Sequence, residues 1–261
     1  MIEISSKDNP LLKSIRRLSQ DSSAYRKQGR VWLEGDHMCR AALDRGVKPL
    51  QVVMTQTAWH RERWAWQDVC DQVFVLPDAL FETLSGLESP AQMGFVLNWA
   101  PEITLQPDCA TVVLDRVQDA GNVGAILRSA SAFGFKQVVA MRGTAALWSA
   151  KVLRAGMGAH FGMHLIEGAE PEWLTPLAMP ILTTSSHQGP YLHELGAEQR
   201  LPAVCAWVLG HEGQGVCSQI MAMAQFQVRI AQPGGEESLN VASAAAICLH
   251  ASAAAALLSS T

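Results

Sequence analysis

No Cys-x-x-Cys pair occurs in this sequence, and its six cysteines, at positions 39, 70, 109, 205, 217 and 248, follow no regular framework. That argues against a disulfide scaffold and the common zinc-finger spacings, and it makes the cysteines small buried hydrophobes of a reducing compartment. His-Glu-x-x-His is missing too, and His187 and His193 stand at no recognisable ligand spacing, so no metal is expected. Gly-x-Gly-x-x-Gly is absent. The turn "DAGNVG" at 119–124 does not supply it, and no clear acidic ribose anchor follows, which argues against a nicotinamide-dependent oxidoreductase. There is no internal repeat, and "MIEISSKDNP" at the start lacks the features of a signal peptide. A cytoplasmic protein is therefore expected. Charge is scarce as well: 17% of residues are charged against 49% apolar, enough apolar material for a sizeable core and too much for a disordered chain.

What charge there is falls unevenly. The net charge of −4 excludes a uniformly basic nucleic-acid binder. Yet residues 1–30 carry seven basic side chains (Lys7, Lys13, Arg16, Arg17, Arg26, Lys27, Arg30) against Glu3, Asp8 and Asp21. Arg16, Arg17, Arg26, Lys27 and Arg30 are the candidates for contact with a polyanion. At the other end, "VASAAAICLHASAAAALL" (241–258) approaches the length of a membrane span. Its hydrophobicity comes mostly from alanine and it includes His250, so a helix packed closely against another helix fits better than a membrane segment.

At 261 residues the chain is long for one domain and comfortable for two. Residues 1–100 mix helical stretches, near 10–20 and at "HMCRAALDRG", with apolar runs at "VWLEG", "LQVVM" and "QVFVL". "APEITLQPDC", with two prolines, makes 101–109 a linker. From 110 to 261 the pattern becomes regular. "TVVLD" (111–115), "QVVAM" (137–141), "PILTTS" (180–185), "VCAWVL" (204–209) and "FQVRI" (226–230) are short β-branched runs separated by helical segments. Such alternation predicts a parallel sheet covered on both faces, with ligands at the loops off the carboxyl ends of its strands.

Three stretches fall at those ends. In "DRVQDAGNVGAILRSASAFGF" (115–135), Val123, Ile126, Leu127 and Ala130 recur at helical spacing, and Gly134 follows as a C-cap. Asn122 falls near the helix start, where capping alone would explain it. Arg128 lies roughly 240° further round the helix, so the two share no face. "VLGHEGQG" (208–215) sets three glycines and Glu212 after a strand, and glycines there admit a ligand close to backbone. "QPGGEESLNVASAAA" (232–246) leads into the alanine-rich helix, with Ser238 or Asn240 as the cap.

Together these stretches closely resemble the three motifs of the SpoU (TrmH-type) RNA 2′-O-ribose methyltransferases, within the SPOUT superfamily. "LDRVQDAGNVGAILRSASAFGF", "VLGHEGQGV" and "ESLNVASAAAI" stand in the family's order and at its spacing. "RVWLEGDHMCRAAL" (30–43) resembles the small α/β substrate-binding domain often fused in front. The resemblance implies a parallel-sheet, Rossmann-like α/β domain with a C-terminal trefoil knot, preceded by that small α/β domain. The knot comes from the resemblance alone, since general rules of chain topology predict an unknotted sheet. It also implies methyl transfer from S-adenosylmethionine to a ribose 2′-hydroxyl of ribosomal RNA, ahead of transfer RNA. By the same resemblance, Asn122, Arg128, Glu212, Ser238 and Asn240 surround the reacting ribose. Gly210, Ile230 and Leu239 hold the cofactor largely through backbone, and "LTTSSHQG" (182–189), with Thr184, forms the other wall. One departure is visible: His211 stands where the family commonly has asparagine.

Methyl transfer to a hydroxyl requires alignment, loss of a proton and stabilisation of developing alkoxide charge. A guanidinium stays protonated in proteins, so Arg128 suits electrostatic stabilisation better than base catalysis. Asn122, Ser238 and Asn240 suit positioning, and Glu212 could orient Arg128 or accept the proton. The rival reading is a catalytically silent RNA-binding protein of the same fold. A homodimer is expected, because the small-residue helix 241–258 needs cover and because the family usually pairs through its knotted domain. Ala245 and Ala253 would then lie at the interface.

Overall fold

The structure, a computed structural model, describes residues 1–86, 89–185, 188–235 and 238–259. The chain divides into two compact units, Met1–Pro101 with Trp148–Phe161, and Glu102–Leu147 with the chain from Gly162 onward.

The first unit begins with β1 (Ile2–Glu3), α1 (Pro10–Gln20), α2 (Ala24–Gln28), β2 (Arg30–Glu34) and α3 (Asp36–Asp44). It continues with β3 (Gln51–Thr55), α4 (Gln56–Trp66), β4 (Val73–Leu76), α5 (Asp78–Glu82) and β5 (Met93–Asn98). The strands form one mixed sheet in the order β1-β4-β3-β5-β2, with β5 antiparallel to both neighbours. α1 starts where it does because Asn9 accepts the Leu11 amide and Pro10 opens the first turn, a position with no need of an N–H. Its apolar stripe, Leu12, Ile15 and Leu18, is buried.

The second unit carries β6 (Thr111–Asp115), α6 (Ala120–Ala132) and β7 (Gln137–Met141). The chain then forms α7 (Ala150–Gly156) and a 3₁₀ turn (Ala159–Gly162), of which α7 packs on β2 and α1. The second unit resumes with β8 (His164–Ala169), β9 (Ile181–Thr184), α8 (Leu192–Ala197), β10 (Ala206–Gly210), α9 (Ser218–Met223), β11 (Phe226–Val228) and α10 (Val241–Ser259). All neighbouring strands of this sheet run parallel, in the order β11-β9-β10-β6-β7-β8. β6, β7 and β10 are buried at every position, as expected of strands covered on both faces.

β8 has no counterpart among the apolar runs of the sequence. Its segment, "HLIEGA", carries a histidine, a glutamate and a glycine, and an edge strand tolerates them because one side needs no partner. The expected face of α6 is buried without remainder at Val123, Ile126, Leu127 and Ala130. Gly134 takes φ +83, and the Phe135 amide returns to the Ala130 carbonyl at 2.9 Å to close the helix.

α10 is, by length and composition, apolar enough to cross a membrane. Ala245, Cys248, Leu249 and Ser252 are nevertheless buried, and the helix packs on α6, α8 and β10. Ser252 Oγ accepts the Trp207 indole N–H at 2.9 Å, which satisfies a donor that burial would otherwise orphan.

Candidate active site

β6 and β10 lie side by side, with Asp115 opposite Gly210, so the loops at 116–119 and 211–217 leave the same edge of the sheet. The crevice outside the carboxyl ends of the strands is where open parallel sheets bind ligands.

The cap of α6 is Asp119, whose Oδ1 accepts the Asn122 amide at 2.8 Å. Asn122 is therefore the third helical residue and not the cap, which corrects the simplest reading of it. With capping done by Asp119, the Asn122 side chain is available for other bonds. Its Nδ2 donates to Glu212 Oε1 at 3.2 Å, and its Oδ1 accepts from Asn240 Nδ2 at 3.0 Å. One amide thus joins the second motif to the third. Asn240 also caps α10, its Oδ1 accepting the amides of Ala242 (2.9 Å) and Ser243 (3.3 Å). Of the two candidate caps, Asn240 is the one used.

Glu212 accepts further, longer bonds from the amides of Gln118 (3.5 Å) and Asp119 (3.4 Å). Desolvation pushes its carboxyl up. Bonds from its own amide, from Asn122 and from Gln118 and Asp119 outweigh that and hold it below the ordinary glutamate value. It is an anion at neutral pH, aimed at the start of α6. His211 preserves the loop in which Glu212 sits. Its Nδ1 accepts the amides of Gly213 (3.0 Å) and Gln214 (3.2 Å), while its backbone pairs twice with Gly215.

Arg128 is exposed and makes no hydrogen bond or ion pair among the described residues. The structure does not bring it to Glu212, so Glu212 does not orient it within this chain. Ser238 and Leu239 are exposed on the approach to α10, and Ser238 bonds to none of the cluster. Glu237 of the third motif, and Ser186 and His187 of the stretch 182–189, lie outside the described residues.

Thr184 and Gly210 close the strands β9 and β10, Ile230 stands two residues beyond β11, and Leu239 stands in the lead to α10. Backbone crosses backbone here. A Cβ on Gly210 would come within 2.3 Å of Gly215, and one on Gly189 within 1.8 Å of the Gln227 carbonyl. The Arg229 amide donates to the Pro190 carbonyl and the Leu192 amide to the Arg229 carbonyl. Thr183 Oγ1, Gln227 Oε1 and Gln232 Oε1 are buried without hydrogen-bond partners among the described residues. Glycine-lined backbone with orphaned polar atoms beside it suits a small ligand rich in donors and acceptors, such as S-adenosylmethionine.

Asp115 and Arg116 open the first motif, yet neither they nor Thr144 had a role assigned from the sequence. Asp115 is buried and bonds Arg116 twice, and Arg116 reaches Gln214 and Gly215 of the second-motif loop. The one signal that could have found them was an aspartate–arginine pair at the end of a strand.

In the first unit, Arg17, Arg26, Lys27 and Arg30 are exposed. Arg16 is partly buried and engaged with Thr83 Oγ1 (2.9 Å) and the Lys7 carbonyl (2.9 Å). Arg26 lies 5.0 Å over the Tyr25 ring. Bonds from Ser23, and then the charges of Arg17 and Lys27, hold the Asp21 carboxyl below its ordinary value.

The family model of the SpoU rRNA Methylase family matches residues 110–250, and that of an MRM3-like substrate binding domain matches residues 9–94. The chain is 27% identical over 254 residues to the 23S rRNA (guanosine(2553)-2′-O)-methyltransferase RlmP of Bacillus subtilis, covering 96% of this chain and 98% of that one. A solved RNA 2′-O ribose methyltransferase is 27% identical with a TM-score of 0.78, over 98% of this chain and 100% of that one. An AdoMet-bound rRNA methyltransferase of Sinorhizobium meliloti, 24% identical over 96% of each chain, shares the fold with a TM-score of 0.80.

Proposed function

The chain belongs to the SpoU rRNA methylase family, and from that premise we propose that it transfers a methyl group from S-adenosylmethionine to a ribose 2′-hydroxyl of ribosomal RNA. The observation that carries the proposal is the hydrogen-bonded line Glu212–Asn122–Asn240, assembled from three separate motifs at the ligand-binding edge of the sheet. Ribosomal RNA stands ahead of transfer RNA because a relative matched over 98% of its length is named for 23S rRNA.

The cofactor supplies an electrophilic methyl group on a sulfonium. Everything else falls to the chain. Thr184, Gly210, Ile230 and Leu239 hold it, chiefly through backbone. Glu212, already ionised, is the acceptor available to a hydroxyl proton at neutral pH. Asn122 and Asn240 fix its direction and, with Ser238, orient the ribose. Arg128, exposed and without a partner among the described residues, is placed to meet an oxyanion or a phosphate.

Residues 1–100 form the RNA-recognition domain, joined through 101–109 to the methyltransferase domain from 110 onward. Arg16, Arg17, Arg26, Lys27 and Arg30 serve as its phosphate ligands. The protein works in the cytoplasm as a homodimer. The crossing of 189–192 by 227–229 supports the trefoil knot of the SPOUT fold.

Mapping 2′-O-methyl groups across ribosomal RNA from cells with and without the gene tests the function. One ribose should lose its mark and regain it on incubation with purified protein and S-adenosylmethionine. An unchanged map, with no transfer to the deletion strain's ribosomal RNA, overturns the reading.

A further inference from the structure

We propose that Arg116 is a positioning residue for methyl transfer, a clamp that fixes the second-motif loop and thereby Glu212; this rests on the function proposed above. Arg116 takes φ +60, a left-handed conformation that residues with a side chain adopt only when their surroundings impose it. Here the surroundings are explicit. Its amide donates to Thr144 Oγ1 at 3.1 Å, and that hydroxyl donates to the Leu114 carbonyl at 2.8 Å. Gly143, itself at φ +93, leaves room for the arginine stem: a Cβ there would sit 3.3 Å from Arg116 Cγ.

The turn aims the guanidinium back across the strand end. Nε donates to Asp115 Oδ1 at 2.9 Å and Nη2 to Oδ2 at 3.1 Å, a forked pair on a carboxylate that is 2% exposed. Nη1 reaches Gln214 Oε1 at 3.0 Å and Nη2 the Gly215 carbonyl at 3.3 Å. Asp115 Oδ2 also accepts the Cys217 amide at 2.6 Å. The loop that carries Glu212 is therefore held at both ends. Gly210 belongs to β10, while Gln214, Gly215 and Cys217 are tied to the end of β6. Without the tie, the loop keeps its internal bonds to His211 and the Cys217–Asp115 bond but loses two of its bonds to the end of β6, so the 3.2 Å bond between Glu212 and Asn122 is less well supported. Lysine has a point charge and no fork, so it can pair with Asp115 but cannot bridge strand to loop in the same way.

Three variants of the full-length protein test the clamp. Arg116→Gly relieves the backbone and removes the side chain. Arg116→Lys keeps the backbone conformation and the charge. Gln214→Ala removes one acceptor and leaves Asp115 paired. Amide exchange at residues 211–217 should accelerate by about tenfold in Arg116→Gly and Arg116→Lys, and by roughly threefold in Gln214→Ala. Exchange in β6 and β7 should stay as in wild type. In methyl-transfer assays, kcat should fall about tenfold in Arg116→Lys with the KM for RNA unchanged, since the loop positions a reacting group. If Arg116→Gly does not fold, the other two variants decide. Wild-type exchange at 211–217 in both of them overturns the clamp, and a loosened loop with unchanged kcat overturns the positioning role. Should wild-type protein methylate no RNA, the proposed function fails while the exchange measurement still decides the clamp.

Discussion

The imidazole of His211 accepts two loop amides at Nδ1, which requires its proton to sit on Nε2. An asparagine Oδ1 offers an acceptor of similar reach, which is the physical reason the substitution is compatible with this loop. His211→Asn should therefore retain methyl-transfer rates within about threefold, and His211→Ala should lose about tenfold, since two amides go unpaired. Single-turnover rates check both. Glu212 adds a pH dependence of definite sign. Its folded value lies below the ordinary glutamate value of 4.5, so the network contributes fully above 4.5. The contribution disappears as pH falls through the lower, folded value. Loop protection at 211–217, followed by amide exchange after correction for intrinsic rates, should stay flat from neutrality down to pH about 4.5 and drop only below it. A drop centred above about 4.5 would show that the amides do not hold the carboxylate. Much of this site was legible as residue types in motif order. The division of labour was not, because Asp119 and Asn122 are both good caps and only the observed bonds choose between them.

Asn240 performs two tasks for its element, and they can be separated. Its Oδ1 caps α10 and its Nδ2 donates to Asn122. Asn240→Asp keeps a capping acceptor at a helix N-terminus and loses the donor. That variant should unfold at close to the wild-type temperature and methylate at least about tenfold more slowly. Asn240→Ala should lose the activity and about 1 kcal/mol of stability as well, read from thermal unfolding. Elements with clear periodicity, such as α6 and the central strands, were readable because burial on both faces of a sheet or one stripe of a helix leaves a pattern. β8 and β5 escaped for different reasons: the first is polar at an edge, and the second, "MGFVLN", follows an irregular stretch that masks its start. Arg116 was hidden too, since no glycine advertises its left-handed turn.

For the whole molecule, α10 leaves an exposed groove of about 680 Å³, lined in part by Phe133, Leu192, Ile247, His250 and Ala254. Ala245, expected at an interface between copies, is fully buried within its own chain, so a large residue there would disrupt the core. Ile247, 41% exposed, is the better probe. Ile247→Arg should convert a dimer into a species of about 28.3 kDa in light scattering, and wild-type protein that already runs at that mass would exclude pairing at this groove. RNA binding belongs to the same scale. Charge reversal at Arg17, Arg26 and Lys27 should weaken binding and flatten its salt slope by roughly one unit for each phosphate no longer neutralised, measured by titration at several salt concentrations.

The cluster at the sheet edge joins residues 90 and 118 positions apart. No local stretch of chain can form it, and the loop-closure cost falls on the last pairings to form. A chain that has folded only as far as β7 already has Asn122 and Arg128 on α6, yet has neither Glu212 nor Asn240 to act with. In order of synthesis, α10 follows every other element described, and its own cap is part of the cluster. Methyl transfer therefore marks the end of folding: a nascent or misassembled chain without α10 in place leaves no mark on RNA.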